Sequence, residues 1–98
     1  MSLRIRPEAE GDILSAAEWY NERGPGLGAE FIAEIDAGFG RITQGPHRFR
    51  GWQGNVRVAL CHRFPYAIYS VSEGDDVVVL AVLHQRRDRN AVKERLGE

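Results

Sequence analysis

Ninety-eight residues, 43% hydrophobic and 28% charged, describe one small soluble domain with room for a single core. No apolar run approaches the roughly 20 residues that cross a bilayer, and Met1–Arg6 lacks the apolar stretch of a signal peptide. No membrane role is expected, and the cytoplasm is the expected compartment.

The single cysteine, Cys61, has no partner for an internal disulfide, and no Cys/His spacing suits zinc. Neither a metal nor another cofactor is expected. The net charge of −1 hides an asymmetry. Residues 1–40 carry three arginines against eight acids, a net −5, and residues 41–98 carry ten Lys/Arg against six acids, a net +4. Such a split either polarises the surface toward an anionic partner or cancels where the two halves interleave.

Leu3-Arg4-Ile5-Arg6 alternates apolar and basic residues, the pattern of a short half-buried strand. Pro7 suits a first helical position, and Glu8, Glu10 and Asp12 favour the positive end of a helix dipole. Ala9, Ile13, Ala16, Ala17 and Tyr20 recur at helical spacing, which predicts a helix over about Pro7–Arg23, ended by Gly24-Pro25-Gly26. A second helix runs to about Gln44, with Phe31, Ile35, Phe39 and Ile42 as its apolar stripe. Gly38 and Gly40 lie inside it. Each weakens the helix by about 1 kcal/mol relative to alanine, or marks a close approach of the two helices. The short join predicts an antiparallel α-hairpin whose apolar face covers a sheet.

Gly45-Pro46 stops the second helix, and a loop through Gln53-Gly54 follows. There the period changes from 3.6 to 2. Val56–His62, Tyr66–Val71 and Val77–His84 are β-rich runs separated by Pro65 and by Glu73-Gly74-Asp75. Connections this short join antiparallel neighbours, so the three runs form a meander. Val77–Leu83 is apolar at every position, as in a central strand covered on both faces. In the first run Val56, Val58 and Leu60 point one way, and Arg57, Ala59, Cys61 and Arg63 the other. Asp88–Leu96, with Val92 and Leu96 four apart, reads as a short C-terminal helix. The expected class is α+β: an N-terminal strand, a helical hairpin, and a three-stranded antiparallel meander packed on the hairpin.

Basic residues gather at the corners of the meander: Arg57, His62, Arg63, His84, Arg86 and Arg87. Arginine offers five fixed donors suited to phosphate, and histidine exchanges protons near neutrality. Cleavage of RNA by its own 2′-hydroxyl needs a base, an acid and cations, types that His84, Arg57, Arg63, Arg86 and Arg87 supply. The plainer reading makes the arginines a solvated strand end paired with Asp88, with His84 capping a loop. The residues alone favour that reading, because a charge cluster by itself carries little information about a site. Pro65 fixes the corner, with Phe64 and Tyr66 packed beside it. Tyr69 is a base-stacking surface or an ordinary strand residue, Trp19 a partner anchor or core, and Trp52 is open. Cys61 lies in no nucleophile motif and is taken as structural.

Several motifs occur in this order: Pro7-Glu8-Ala9, Glu18-Trp19-Tyr20, Pro25-Gly26-Leu27-Gly28, Val56-Arg57, Arg63-Phe64-Pro65-Tyr66-Ala67-Ile68-Tyr69, and Val79–Asp88 ending in His84-Gln85-Arg86-Arg87-Asp88. Together with the order of elements, they resemble the RelE/ParE superfamily of toxins from bacterial type II toxin–antitoxin modules, and the ParE side more than RelE. The resemblance spans nearly the whole chain. It implies a cognate antitoxin partner, with Arg57, His62, Arg63, Tyr69, His84, Arg86 and Arg87 binding antitoxin or target. ParE-like relatives poison DNA gyrase and need a docking surface. RelE-like relatives cut messenger RNA on the ribosome, commonly with a late Tyr or His. Here no aromatic residue follows Tyr69 and no histidine follows His84, which favours the gyrase poison. A non-toxic relative that only binds antitoxin is the third reading. Val58 and Cys61-His62 stand where many relatives carry more positive charge, and Arg89 where a proline is common.

Overall fold

The structure, a computed structural model, describes residues 2–87 and 89–96. Strand β1 is Leu3–Ile5, α1 Pro7–Arg23 and α2 Leu27–Gln44. A 3₁₀ turn at Pro46–Arg48 precedes β2 at Arg50–Gly51, β3 at Arg57–Leu60, β4 at Tyr66–Glu73, β5 at Asp76–His84 and α3 at Asn90–Leu96. The expected α+β architecture is present, with a sheet of five strands in the order β1-β5-β4-β3-β2. Two features differ from the expectation. The first is β2, which pairs antiparallel with β3 where a loop was expected. The second is the run Val56–His62, which is a strand only over Arg57–Leu60.

Local chemistry sets these boundaries. Pro7 opens α1 without a side-chain cap, and Gly26, at φ +86°, makes the left-handed step into α2. Gly74, at φ +60°, starts the two-residue turn between β4 and β5, where Glu73 pairs with Asp76. The helices pack tightly at Gly28, where a Cβ would lie 2.6 Å from the Ala17 carbonyl oxygen. Gly38 instead packs on Ile68 of the sheet, and Gly40 faces open space, so of the two alternatives the close approach of the helices does not apply to either.

The hairpin covers one face of the sheet. Phe31, Ile35 and Ile42 are buried against Ala59, Cys61, Ile68, Val77, Val79 and Val82. Each of those three large side chains contributes about 1.5–3 kcal/mol of apolar burial. The other face buries Val56, Tyr69, Val78, Leu80 and Leu83 under Val92 of α3 and the half-buried Trp52. A bulge between these clusters pairs Tyr69 with Ala81 but Ser70 with Val79. Leu80 and Ala81 therefore both face the second cluster, and the alternation of β5 changes phase there. The bulge changes which residues of this all-apolar strand face each core.

Candidate functional site

The basic corners meet at the end of the sheet where Tyr66 pairs with His84. The Gln85 amide N–H donates to the Pro65 carbonyl at 2.8 Å, tying the end of β5 to the turn that precedes β4.

At the β3–β4 corner His62 and Arg63 are tied to α2. The His62 backbone N–H donates to Glu34 Oε2 at 3.0 Å, and this bond holds the Glu34 carboxyl below the usual carboxylate range. Arg41 Nη1 lies 2.7 Å from His62 Nε2. Arginine has only donors, so that ring nitrogen is the acceptor. Arg63 Nη2 donates to Glu30 Oε1 at 2.6 Å. Beneath them Cys61 is buried, and burial pushes its thiol up to about 11, so it is a poor nucleophile.

The end of β5 is different. His84 Nδ1 accepts the Arg86 backbone N–H at 3.1 Å, which leaves Nε2 to carry the ring proton. The His84 ring stands edge-on to Tyr66, with centroids 5.4 Å apart. Burial raises the Tyr66 phenol, and the charge of Arg87 partly offsets that. Arg86 and Arg87 are exposed, and among the described residues neither is in an ion pair. The expected pairing with Asp88 lies outside the described residues.

Two candidates do not join this corner. Arg57 pairs with Ser70, several rungs away, and its guanidinium is half-buried and donates to the Phe49 carbonyl at 3.0 Å. Tyr69 is 1% exposed, with its ring packed edge-on to Trp52, and presents no open face. The basic set thus divides into a tethered pair, a free group and a structural arginine.

A groove runs beside the free group. Strand β1 ends at Ile5, and past it the outer edge of β5 has no neighbouring strand. Asp12 and Arg95 take that place. Asp12 Oδ2 accepts the Val82 N–H at 3.0 Å, and Arg95 Nη1 donates to the Leu80 carbonyl at 3.0 Å. The two side chains meet in a bidentate pair at 2.7 and 3.1 Å, only 9% and 15% exposed. Beside the pair opens a cavity of about 830 Å³ whose walls include Ser15, Trp19, Tyr20, Tyr66, His84 and Arg87. Trp19 is 48% exposed, and Arg23 stacks on its ring at 3.5 Å.

The sequence reading gave Tyr66 only as packing beside the corner, and it did not pair Asp12 with Arg95. Asp12 fits a helix dipole equally well, and its partner is 83 residues away. Tyr66 meets His84 only through the strand register.

Comparison with known proteins agrees with this architecture. The family model of the ParE toxin of type II toxin–antitoxin systems, parDE, matches residues 3–89, and the chain belongs to that family. A solved structure of the chromosomal ParDE TA system from P. aeruginosa is similar with a TM-score of 0.75 and 19% identity, over 86% of this chain and 95% of that one. At that identity the likeness speaks for the fold alone. No curated protein sequence matches the chain. Among the described residues, no helix is long and apolar enough to cross a membrane.

Proposed function

We propose that this chain is the toxin of a type II module, that it arrests growth by docking on DNA gyrase, and that a cognate antitoxin neutralises it. The family match over residues 3–89 carries the proposal. The geometry supports a docking surface at the end of β5. Arg86 and Arg87 stand free among the described residues, beside an aromatic groove, and present fixed donors to an anionic partner surface. The antitoxin segment adds a helix or strand along the groove between α1 and the edge of β5. Its apolar side chains meet Trp19 and Tyr20, and its acids meet Arg87. It protects by masking, so the free chain inhibits growth. Both partners act in the cytoplasm.

A second reading is RelE-like cleavage of messenger RNA on the ribosome. One observation favours it: a phenol, an imidazole and a guanidinium come together at Tyr66, His84 and Arg87. The two readings separate on induction in cells. Accumulation of relaxed plasmid with intact ribosome-bound messages supports the gyrase reading. Prompt message cleavage with normal supercoiling overturns it and makes His84 a catalytic residue, whose loss then costs about 100- to 10,000-fold in rate. Neither effect identifies a silent relative that only binds antitoxin. Failure of the neighbouring gene product to co-purify with the chain counts against the antitoxin partner.

A further inference from the structure

A second cleft lies on the sheet face turned away from the helical hairpin. It encloses about 490 Å³ and shares only Tyr69 with the residues expected to bind antitoxin or target. Its floor is apolar, formed by Val58, Ala67 and Leu60, and Leu60 is 54% exposed although it is a large aliphatic side chain. Arg50 on the edge strand β2 and Arg89 before α3 stand on the rim. Among the described residues no carboxylate lines the cleft, and neither arginine is in an ion pair.

Trp52 is the fixed element of this cleft. Its backbone N–H donates to the Val56 carbonyl at 2.9 Å, and its ring rests edge-on against buried Tyr69 at 5.8 Å. The arginine above it is not in close contact. Arg89 lies 5.8 Å from the Trp52 ring centroid, whereas Arg23 lies 3.5 Å from that of Trp19, a direct stack. A flat ring in contact with indole on one side and guanidinium on the other needs about 7 Å, two contacts of about 3.5 Å each. An outward movement of roughly 1 Å by an exposed arginine opens that space. Gln85 lines the same cleft and brings an amide that can meet the polar edge of a heterocycle.

We propose that this cleft binds a nucleotide, with the base stacked on Trp52 beneath Arg89 and the phosphate held by Arg50 and Arg89. An aromatic platform, an apolar floor and two guanidiniums fit a flat heterocycle joined to an anion. A mononucleotide and a nucleotide within a single strand present the same chemistry, so the test separates the two sources. The site does not rest on the gyrase reading, because binding is measured on the isolated chain.

The test uses the Trp19→Phe chain, in which Trp52 is the sole tryptophan. Its fluorescence is followed during titration with AMP, with dTMP, with a short oligothymidylate and with inorganic phosphate. Saturable quenching by the mononucleotides assigns the site to free nucleotides, and quenching by the oligonucleotide alone assigns it to single strands. Arg50→Glu and Arg89→Glu, both exposed positions, are expected to weaken binding about ten-fold or more. Trp52→Leu, followed by anisotropy of a labelled ligand, is expected to weaken it on the order of ten-fold, as loss of one stacked base predicts. Circular dichroism verifies that each variant is folded. If Trp52→Leu is misfolded, the two arginine variants decide. The proposal is overturned if no nucleotide or oligonucleotide saturates, if inorganic phosphate matches them, or if folded variants bind as tightly as the parent chain.

Discussion

The two basic corners at the end of the sheet are built from the same residue types, yet the fold treats them differently. His62 and Arg63 close onto Glu34, Arg41 and Glu30 of α2, while Arg86 and Arg87 have no ion pair among the described residues. The difference arises from what packs beside each corner. The acidic first half of the chain lays α2 against the β3–β4 turn, so charge that is separated in sequence is interleaved in space there. At the end of β5, among the described residues, Glu8 and Asp12 line the groove beside Arg87 without pairing with it, and Arg95 already occupies Asp12. Positive charge marks a docking surface only where no carboxylate on an adjoining element meets it.

The largest expected effect is at the pair that holds the end of β5. Truncating Asp12 or Arg95 to alanine leaves a mostly buried charge without its partner and is expected to cost about 3–5 kcal/mol. Urea unfolding measures it, and Asp12→Ala/Arg95→Ala should cost less than the sum of the singles. Additive losses would mean that the two residues act separately, and that the edge of β5 does not depend on their pairing.

Next comes the free corner. Arg86→Glu with Arg87→Glu should weaken gyrase inhibition on the order of ten-fold or more, the low end of electrostatic steering. Folding stability should move by no more than about 0.5 kcal/mol, as for exposed positions. Equal loss from Arg63→Glu would remove the distinction between the corners.

A pH titration probes the buried layer under the tethered corner. The Cys61 thiol is raised from 9.0 to about 11 in the fold, so the folded state disfavours the thiolate. Its contribution is full below about pH 9 and is lost as pH rises through about 11. Thermal unfolding should therefore show stability falling across that window, and Cys61→Ala should flatten that part of the curve.

The smallest effect is expected from Arg63→Ala. Its ion pair with Glu30 is exposed, with 59% and 47% of the side chains accessible, and such pairs contribute about 0–1 kcal/mol. Gyrase inhibition should stay at the parent level. A loss comparable to that at Arg86 and Arg87 would return Arg63 to the docking surface.

Much of the fold was legible in the sequence because hydrophobic period and breakers carry it. Phe31, Ile35 and Ile42 lie against the sheet as their spacing predicts, and the switch at Gly54 separates the hairpin from the meander. Strand β2 was not legible, because two residues, Arg50 and Gly51, are too short to show alternation. The phase change at Leu80–Ala81 was hidden in a run that is apolar throughout. The candidate site was only partly legible. Spacing located the basic residues, but their fates depend on contacts such as Arg63 with Glu30, 33 residues away, and Arg95 with Asp12. Trp52 gave no periodic signal, and its cleft is formed by residues far apart in sequence, from Arg50 of β2 to Arg89.

The measurement that tests the central claim most directly adds the purified chain to DNA gyrase and relaxed plasmid, with translating ribosomes assayed in parallel. The account predicts that supercoiling is inhibited, that the antitoxin relieves the inhibition, and that Arg86→Glu with Arg87→Glu weakens it while messages stay intact. Undisturbed supercoiling with prompt cleavage of ribosome-bound messages would contradict it.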